Sequence, residues 1–422
     1  MKISHFSFCT AALVLLFSIL FNLTGCAVRA DTNDLMEGIA PSHPSLSEPD
    51  PAGSAKAADF AVRLFRECLD AEGSEKSVLI SPLSVISALA MTANGAKGET
   101  LRQMEQVLGF PVSELNAYLY SYMSSLPENG KARLDLANSV WFTDDPGFKV
   151  EESFLKMNAD YYGAGAYKVP FNRSTLRDIN DWVREKTHDM IPQILNDIPK
   201  EAVMYLVNAM AFEGEWMNKY LEYSVKEDTF TTERGESRTA EFMYGSEHSY
   251  LDDGMALGFM KYYAGGDYAF VALLPNEGIS ISDYASTLTG EKITSLLADP
   301  RHGTAYTAIP KFEKTYGTEM SSILKEMGMT DAFDFGKADF SGLGTSENGN
   351  IMINRVIHKT FIAVNEQGTR AGAATAVEMT NGSAYMPEEI TYIYLTRPFI
   401  YMLVDCSTGN PFFIGTFTDT EN

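Results

Sequence analysis

An α+β fold is what this 422-residue chain predicts. Three observations carry the prediction. Apolar residues at helical spacing dominate the early part of the chain. Alternating or continuous apolar runs of strand length dominate its last third. The two kinds of segment are segregated and not interleaved as βαβ units. No repeat of fixed period is present.

The elements follow in order. Lys2 and the apolar run 6–21 read as an export signal, too short to span a bilayer of ~20 apolar residues. Leu23-Thr24-Gly25-Cys26 resembles a bacterial lipobox, so residues 1–25 are expected to be a lipoprotein signal peptide and Cys26 the lipidated mature N-terminus. An ordinary signal peptide or a membrane anchor is the alternative. Residues 26–55, rich in Pro, Ser, Ala and Asp, read as a flexible linker from anchor to domain. Residues 56–422 are long enough for one large domain or two ordinary ones.

Within that region, Phe60, Ala61, Leu64, Phe65, Cys68 and Leu69 predict a helix over 56–71. Ser81-Pro82 predicts the cap and first turn of a second helix, and Asn94-Gly95 its end. A short helix is expected over 99–108, a strand over 134–142, and a helix over 176–195 broken at Ile191-Pro192. The run 202–212 reads as a buried strand. Strands are expected at 268–274 and 306–312, a helix at 318–328, and strands at 355–364, 390–395, 398–405 and 411–417.

A formal charge of −23 opposes binding to nucleic acid, acidic lipid or other polyanions. Cys68 and Cys406, the cysteines left beside Cys26 after processing, make no disulfide framework and read as buried hydrophobes. No metal-ligand or nucleophile motif appears, and "GLGTSENG" at 342–349 lacks phosphate-loop spacing. No cofactor is expected and nothing specific supports a catalytic group; a cell-surface enzyme with a triad assembled from distant residues is the alternative that the missing motifs weaken.

The unusual stretch is 366–389, "EQGTRAGAATAVEMTNGSAYMPEE". Successive strand side chains point to opposite faces. The odd positions from Thr369 to Met379 carry no charge, whereas Arg370 and Glu378 fall on even positions. One face is fit for burial and the other for water, yet Ala and Gly have low β propensity. The stretch reads as a Gly/Ala loop or as a strand that waits outside a sheet.

Here the sequence resembles the serpins, inhibitors that trap serine proteases. "NEQGTRAGAATA" looks like their hinge. "SVLISPLSVISALAMTANGAKGET", "YLVNAMAFEGEW", "LLPNEG", "IPKFEKTYGTEMSSILKEMGM", "ADFSGL", "HKTFIAVNEQGT" and "RPFIYMLVDCSTGNPFFIGTF" stand in family order.

The resemblance implies a serpin domain over 56–422. It would have a large central sheet, two smaller sheets, about eight or nine helices and an exposed reactive loop. The implied function is suicide-substrate inhibition of serine endopeptidases in a covalent complex, by loop cleavage, acyl-enzyme trapping and loop insertion. A non-inhibitory binding module is the alternative, as are papain-like cysteine proteases as targets.

The implied hinge comprises Glu366, Gly368, Thr369, Arg370, Ala371, Gly372, Ala373, Ala374 and Thr375. Arg370 departs from the acidic residue common in inhibitory members. As it falls on the water face, it is expected to be tolerated. Counting seventeen residues from Glu366 places the bait bond at Gly382-Ser383, within a window from Met379 to Tyr385.

Ala371 to Glu389 contains no Lys or Arg, so elastase-, subtilisin- or chymotrypsin-like enzymes are expected as targets, and trypsin-like ones are not. Ser81, Ser84, Asn208 and His358 match the polar cluster beneath the central sheet, and Trp216 the tryptophan at its top. The protein is expected to be a monomer tethered outside the cytoplasm, at the cell surface or secreted.

Overall fold

The computed structural model describes residues 33–46, 50–127, 131–198, 203–370 and 389–420. Strand β1 (Asn33–Asp34) precedes helix α1 (Pro51–Glu72). Then come β2 (Leu79–Ile80), α2 (Pro82–Ala93), α3 (Gly98–Leu108), α4 (Val112–Ser125), β3 (Ala132–Thr143), β4 (Phe148–Val150), α5 (Glu152–Tyr162), β5 (Gly165–Val169) and α6 (Arg173–Lys186). The middle of the chain supplies β6 (Met204–Glu215), β7 (Val225–Thr231), β8 (Ser237–Asp252), β9 (Ala256–Tyr262), β10 (Tyr268–Pro275), α7 (Ile281–Ser286) and α8 (Gly290–Ala298). The end supplies β11 (Arg301–Pro310), β12 (Phe312–Glu319), α9 (Ser321–Glu326), β13 (Gly344–Ser346), β14 (Ile357–Asn365), β15 (Gly368–Thr369), β16 (Ile390–Tyr394), β17 (Phe399–Asp405) and β18 (Pro411–Phe417).

The expected architecture is present. A seven-stranded central sheet has the order β1-β5-β3-β6-β15-β14-β12. A second path runs β16-β11-β8-β9-β10-β17-β18-β2, with β7 also on β8. It is two smaller sheets joined through the long β8. Residues up to Tyr250 pair with β7 and β11, and only Leu251–Asp252 pair with β9. A two-stranded ladder of β4 and β13 was not expected.

Helix α2 packs its apolar face behind the central sheet, where Leu83, Ile86 and Leu89 join the main core. Ser81 caps this helix as its sequence predicts, accepting from the Ser84 amide. Cys68 is buried, Cys406 is half-buried, and both are free thiols. Burial pushes both up to about 12, so neither is a ready nucleophile.

Several boundaries differ from expectation, for physical reasons. Helix α1 starts at Pro51, inside the stretch read as linker, because Asp50 caps it and Pro51 suits its first turn. Part of the remaining linker is also docked. Asn33 and Asp34 pair with Lys168 and Tyr167 at the edge of the central sheet. The Leu35 amide donates to Ala166 O at 2.8 Å, and Leu35, Met36 and Ile39 pack on the core. Three apolar residues in a polar stretch give no periodicity, but an open strand edge can still recruit them.

Helix α6 stops at Lys186, before the predicted break. The Thr187 hydroxyl donates to Val183 O and accepts from the Ile191 amide, while His188 and Asp189 take left-handed backbone. This folds Met190, Ile191, Ile194 and Leu195 back onto the outer face of the sheet. The run 306–312 divides at Lys311 between β11 and β12. The helix expected over 318–328 shortens to α9, because Thr318 and Glu319 pair with His358 and Ile357 instead.

Candidate functional site

The site is a seam in the central sheet. Strand β15 sits between β6 and β14, with Gly368 opposite Glu215 and Asn365, and Thr369 opposite Gly214 and Val364. Among the described residues no ladder pairs β6 directly with β14. The two long strands are already held one strand apart at their upper end. Ala371, Gly372, Ala373, Ala374, Thr375, Gly382, Ser383 and Cys26 lie outside the described residues.

A tight turn leads into β15. The Asn365 side-chain oxygen accepts from the amides of Gln367 (2.8 Å) and Gly368 (3.2 Å), an Asx turn that reverses the chain after β14. Gly368 has φ +156, and a Cβ there would lie 1.9 Å from Gly214 O, so only glycine fits. Thr369 is buried, with its hydroxyl 2.5 Å from the Tyr263 phenol. Burial raises the Tyr263 pKa, keeping the phenol protonated and able to donate.

Trp216 and Glu366 brace the turn. The Trp216 indole stacks on Tyr263 at 4.6 Å, and its N–H donates to Asn365 O at 2.8 Å. The buried Lys261 ammonium lies over the rings of Trp216 and Tyr220 and pairs with Glu247 at 3.2 Å. Burial works against the charged form of Lys261 and lowers its pKa. Glu366 pairs with Lys311 at 3.1 Å, and Lys311 also reaches Glu241 at 3.3 Å. A hydrogen bond from its own amide, followed by Lys311, holds the Glu366 carboxyl below its usual range.

The polar cluster lies lower in the same seam. The buried His358 of β14 accepts from the Ser81 amide through Nε2 at 3.0 Å. The Ser84 hydroxyl donates to Asn208 Oδ1 on β6, and Asn208 Nδ2 donates to Asn138 Oδ1 on β3. Asn138 and Asn208 are register partners. Ser81 Oγ donates to Met210 Sδ at 2.9 Å. Burial depresses the His358 pKa to about 4, so the ring is neutral. Ser84, Leu206, Asn208, Ile357 and His358 help line a cavity of about 20 Å³ between the strands and α2. That is room for about one water.

Residues 55–420 match the family model described as Serpin (serine protease inhibitor). The chain belongs to the serpin family.

Among serpins of known structure, tengpin, a thermophilic member, is 44% identical. Its native state covers 92% of this chain and 100% of its own, with a TM-score of 0.87. The latent state of tengpin covers 89% and 100%, with a TM-score of 0.78. The leukocyte elastase inhibitor of Equus caballus is 29% identical over 85% of this chain and 97% of its own. The TM-score is thus higher against the native form of tengpin than against the latent one.

Ser81, Ser84, Asn208 and His358 come together, and Trp216 contacts the base of the hinge. Three serpin-site residues escaped the sequence reading. Asn138 lies in the predicted strand 134–142, but only strand register puts it beside Asn208. Tyr263 and Lys311 lie far from the hinge in sequence, and no local pattern marks them. Arg370 has φ +45, the left-handed region uncommon for a non-glycine residue.

Proposed function

We propose that this serpin inhibits serine endopeptidases as a suicide substrate. The observation that carries the reading is β15: Gly368 and Thr369 of the hinge lie between β6 and β14, and among the described residues no ladder pairs those two strands directly below them. In this mechanism the protease serine attacks the bait bond and forms an acyl-enzyme. Cleavage frees the segment after Thr369 to extend β15 along the seam, carrying the esterified protease with it.

About 15 residues at ~3.3 Å each would move it roughly 50 Å. If ~15 new hydrogen bonds contribute about 1 kcal/mol each, insertion releases on the order of 10–20 kcal/mol. Loss of one oxyanion-site donor already slows acyl transfer about 10²–10³-fold, so distortion of the protease needs only part of that energy. The resting fold is then a kinetic trap.

The greater likeness to native tengpin and the elastase-inhibitor relative support the reading. The bait is proposed at Gly382-Ser383, or elsewhere between Met379 and Tyr385. Without Lys or Arg from Ala371 to Glu389, the loop offers nothing to the buried carboxylate of a trypsin-like pocket.

A cell-surface anchor at Cys26 is proposed from the sequence. Six residues would separate it from Asn33, a reach of at most roughly 20–25 Å. Asn33 pairs near the end of β5, which lies beside Thr143 at the end of the sheet remote from Gly214. An anchored molecule would hold its hinge away from the membrane.

The test is digestion with pancreatic elastase and with trypsin, read by denaturing mass spectrometry. An elastase adduct that survives denaturation, with a cut in the window, is expected. Cleavage by every enzyme without an adduct would leave a non-inhibitory serpin, and an adduct with trypsin alone would overturn the specificity.

A further inference from the structure

We propose that Arg370 is a catch that stops the hinge after its second inserted residue and sets the rate of further insertion. The inference rests on the insertion mechanism above. Its geometry is independent of that mechanism.

Thr369 faces the core, so Arg370 faces outward, beside Glu213 of β6 and Phe361 of β14. Those are the two strands that a lengthening β15 must run between. The Arg370 amide still donates to Ala363 O at 2.8 Å, as in a ladder. Its backbone then turns left-handed, at φ +45. A strand cannot continue through that conformation, so extension requires this residue to swing into the β region.

The side chain opposes the swing from both sides of the seam. Arg370 Nε lies 3.9 Å from Glu213 Oε1, and the guanidinium carbon lies 5.9 Å from the centre of the Phe361 ring. The planar guanidinium thus ties β6 and β14 together across the slot. Glu213 is fixed in turn by Arg133 of β3 at 3.4 Å. The group is about a third exposed, so each contact is weak, and the hold comes from their combination with the turned backbone. Alanine at this position would remove both contacts that hold the turned residue across the slot, releasing the catch.

The test uses full-length wild type, Arg370→Ala, Glu213→Gln and Arg370→Lys. Glu213→Gln leaves Arg133 its 2.7 Å pair with Asp135. The first readout is amide exchange at 368–370 in the intact protein. The Arg370 amide should be protected in wild type and exchange at least tenfold faster in Arg370→Ala. The second is the tryptophan fluorescence change after nicking with elastase. It should be at least threefold faster in Arg370→Ala and in Glu213→Gln, and within threefold of wild type in Arg370→Lys.

An unprotected Arg370 amide in wild type, or both variants within twofold of wild type after nicking, would overturn the catch. A protected amide in wild type, with no rise in melting temperature after nicking, would instead defeat the insertion mechanism and leave Arg370 as a lock on the hinge.

Discussion

The hydroxyl of Thr369 meets the phenol of Tyr263 inside the protein, 2.5 Å apart, before any bond in the loop has been cut. The start of the hinge is therefore seated in the resting molecule, and this buried polar contact is one of those that hold it there.

Thr369→Val keeps the shape and removes that partner. A buried hydroxyl left unpaired costs about 1–3 kcal/mol. The intact protein should lose about that much stability in urea unfolding. Tyr263→Phe combined with Thr369→Val should recover part of it, because both polar groups are then gone. A double variant no better than Thr369→Val would show that the contact contributes nothing specific.

Gly368→Ala places a methyl group against Gly214 O, where no side-chain movement can make room. Strand β15 should leave the slot, at a cost of about 1–3 kcal/mol to the intact fold. In an elastase assay the variant should be consumed more as substrate and trapped less as complex. Wild-type stability together with wild-type stoichiometry would contradict the described turn.

His358 gives the fold a pH dependence of definite sign. Its pKa is about 4 when folded, against an ordinary value of 6.5. Between those values the unfolded chain binds more protons, so stability falls as pH drops through that window and is fully present above it. The contribution at neutral pH is on the order of 3 kcal/mol. His358→Gln should flatten the acid limb of a plot of urea midpoint against pH between 6.5 and 4. An unchanged slope would assign the acid sensitivity to other groups.

Removing residues 1–49 strips β1 from the edge strand β5, together with the contacts of Leu35, Met36 and Ile39 and the hydrogen bonds from Ser42 to Asp160. Three partly buried apolar side chains correspond to roughly 2–4 kcal/mol. The truncated protein should unfold at lower urea. An identical midpoint would mean that the segment is a tether and nothing more.

Strongly patterned elements were legible without coordinates. The Ser81 cap, the buried run 202–212 and the four late strands are local signals, written by side-chain spacing and turn chemistry. Strands β7 to β9 were not read. β7 buries only Phe230 among its seven residues, so it shows no alternation. The start of α1 was missed although Asp50-Pro51 is a helix-start signature, because the surrounding composition reads as spacer.

By itself, the sequence determined the α+β class, the family, the two-faced pattern after Gly368 and a stretch from Ala371 to Glu389 without Lys or Arg. Each of these is read from local spacing, composition or short motifs, taken in order along the chain. Tertiary structure alone decided that Thr369 meets Tyr263, that Lys311 holds Glu366, that Asn138 completes the polar cluster and that Arg370 lies between Glu213 and Phe361. All but one of those pairings join residues from about fifty to more than a hundred and fifty positions apart, and Arg370 and Phe361, nearer in the chain, meet only because it reverses between their strands. Strand order and register bring them together, and neither is written in any local stretch of side chains.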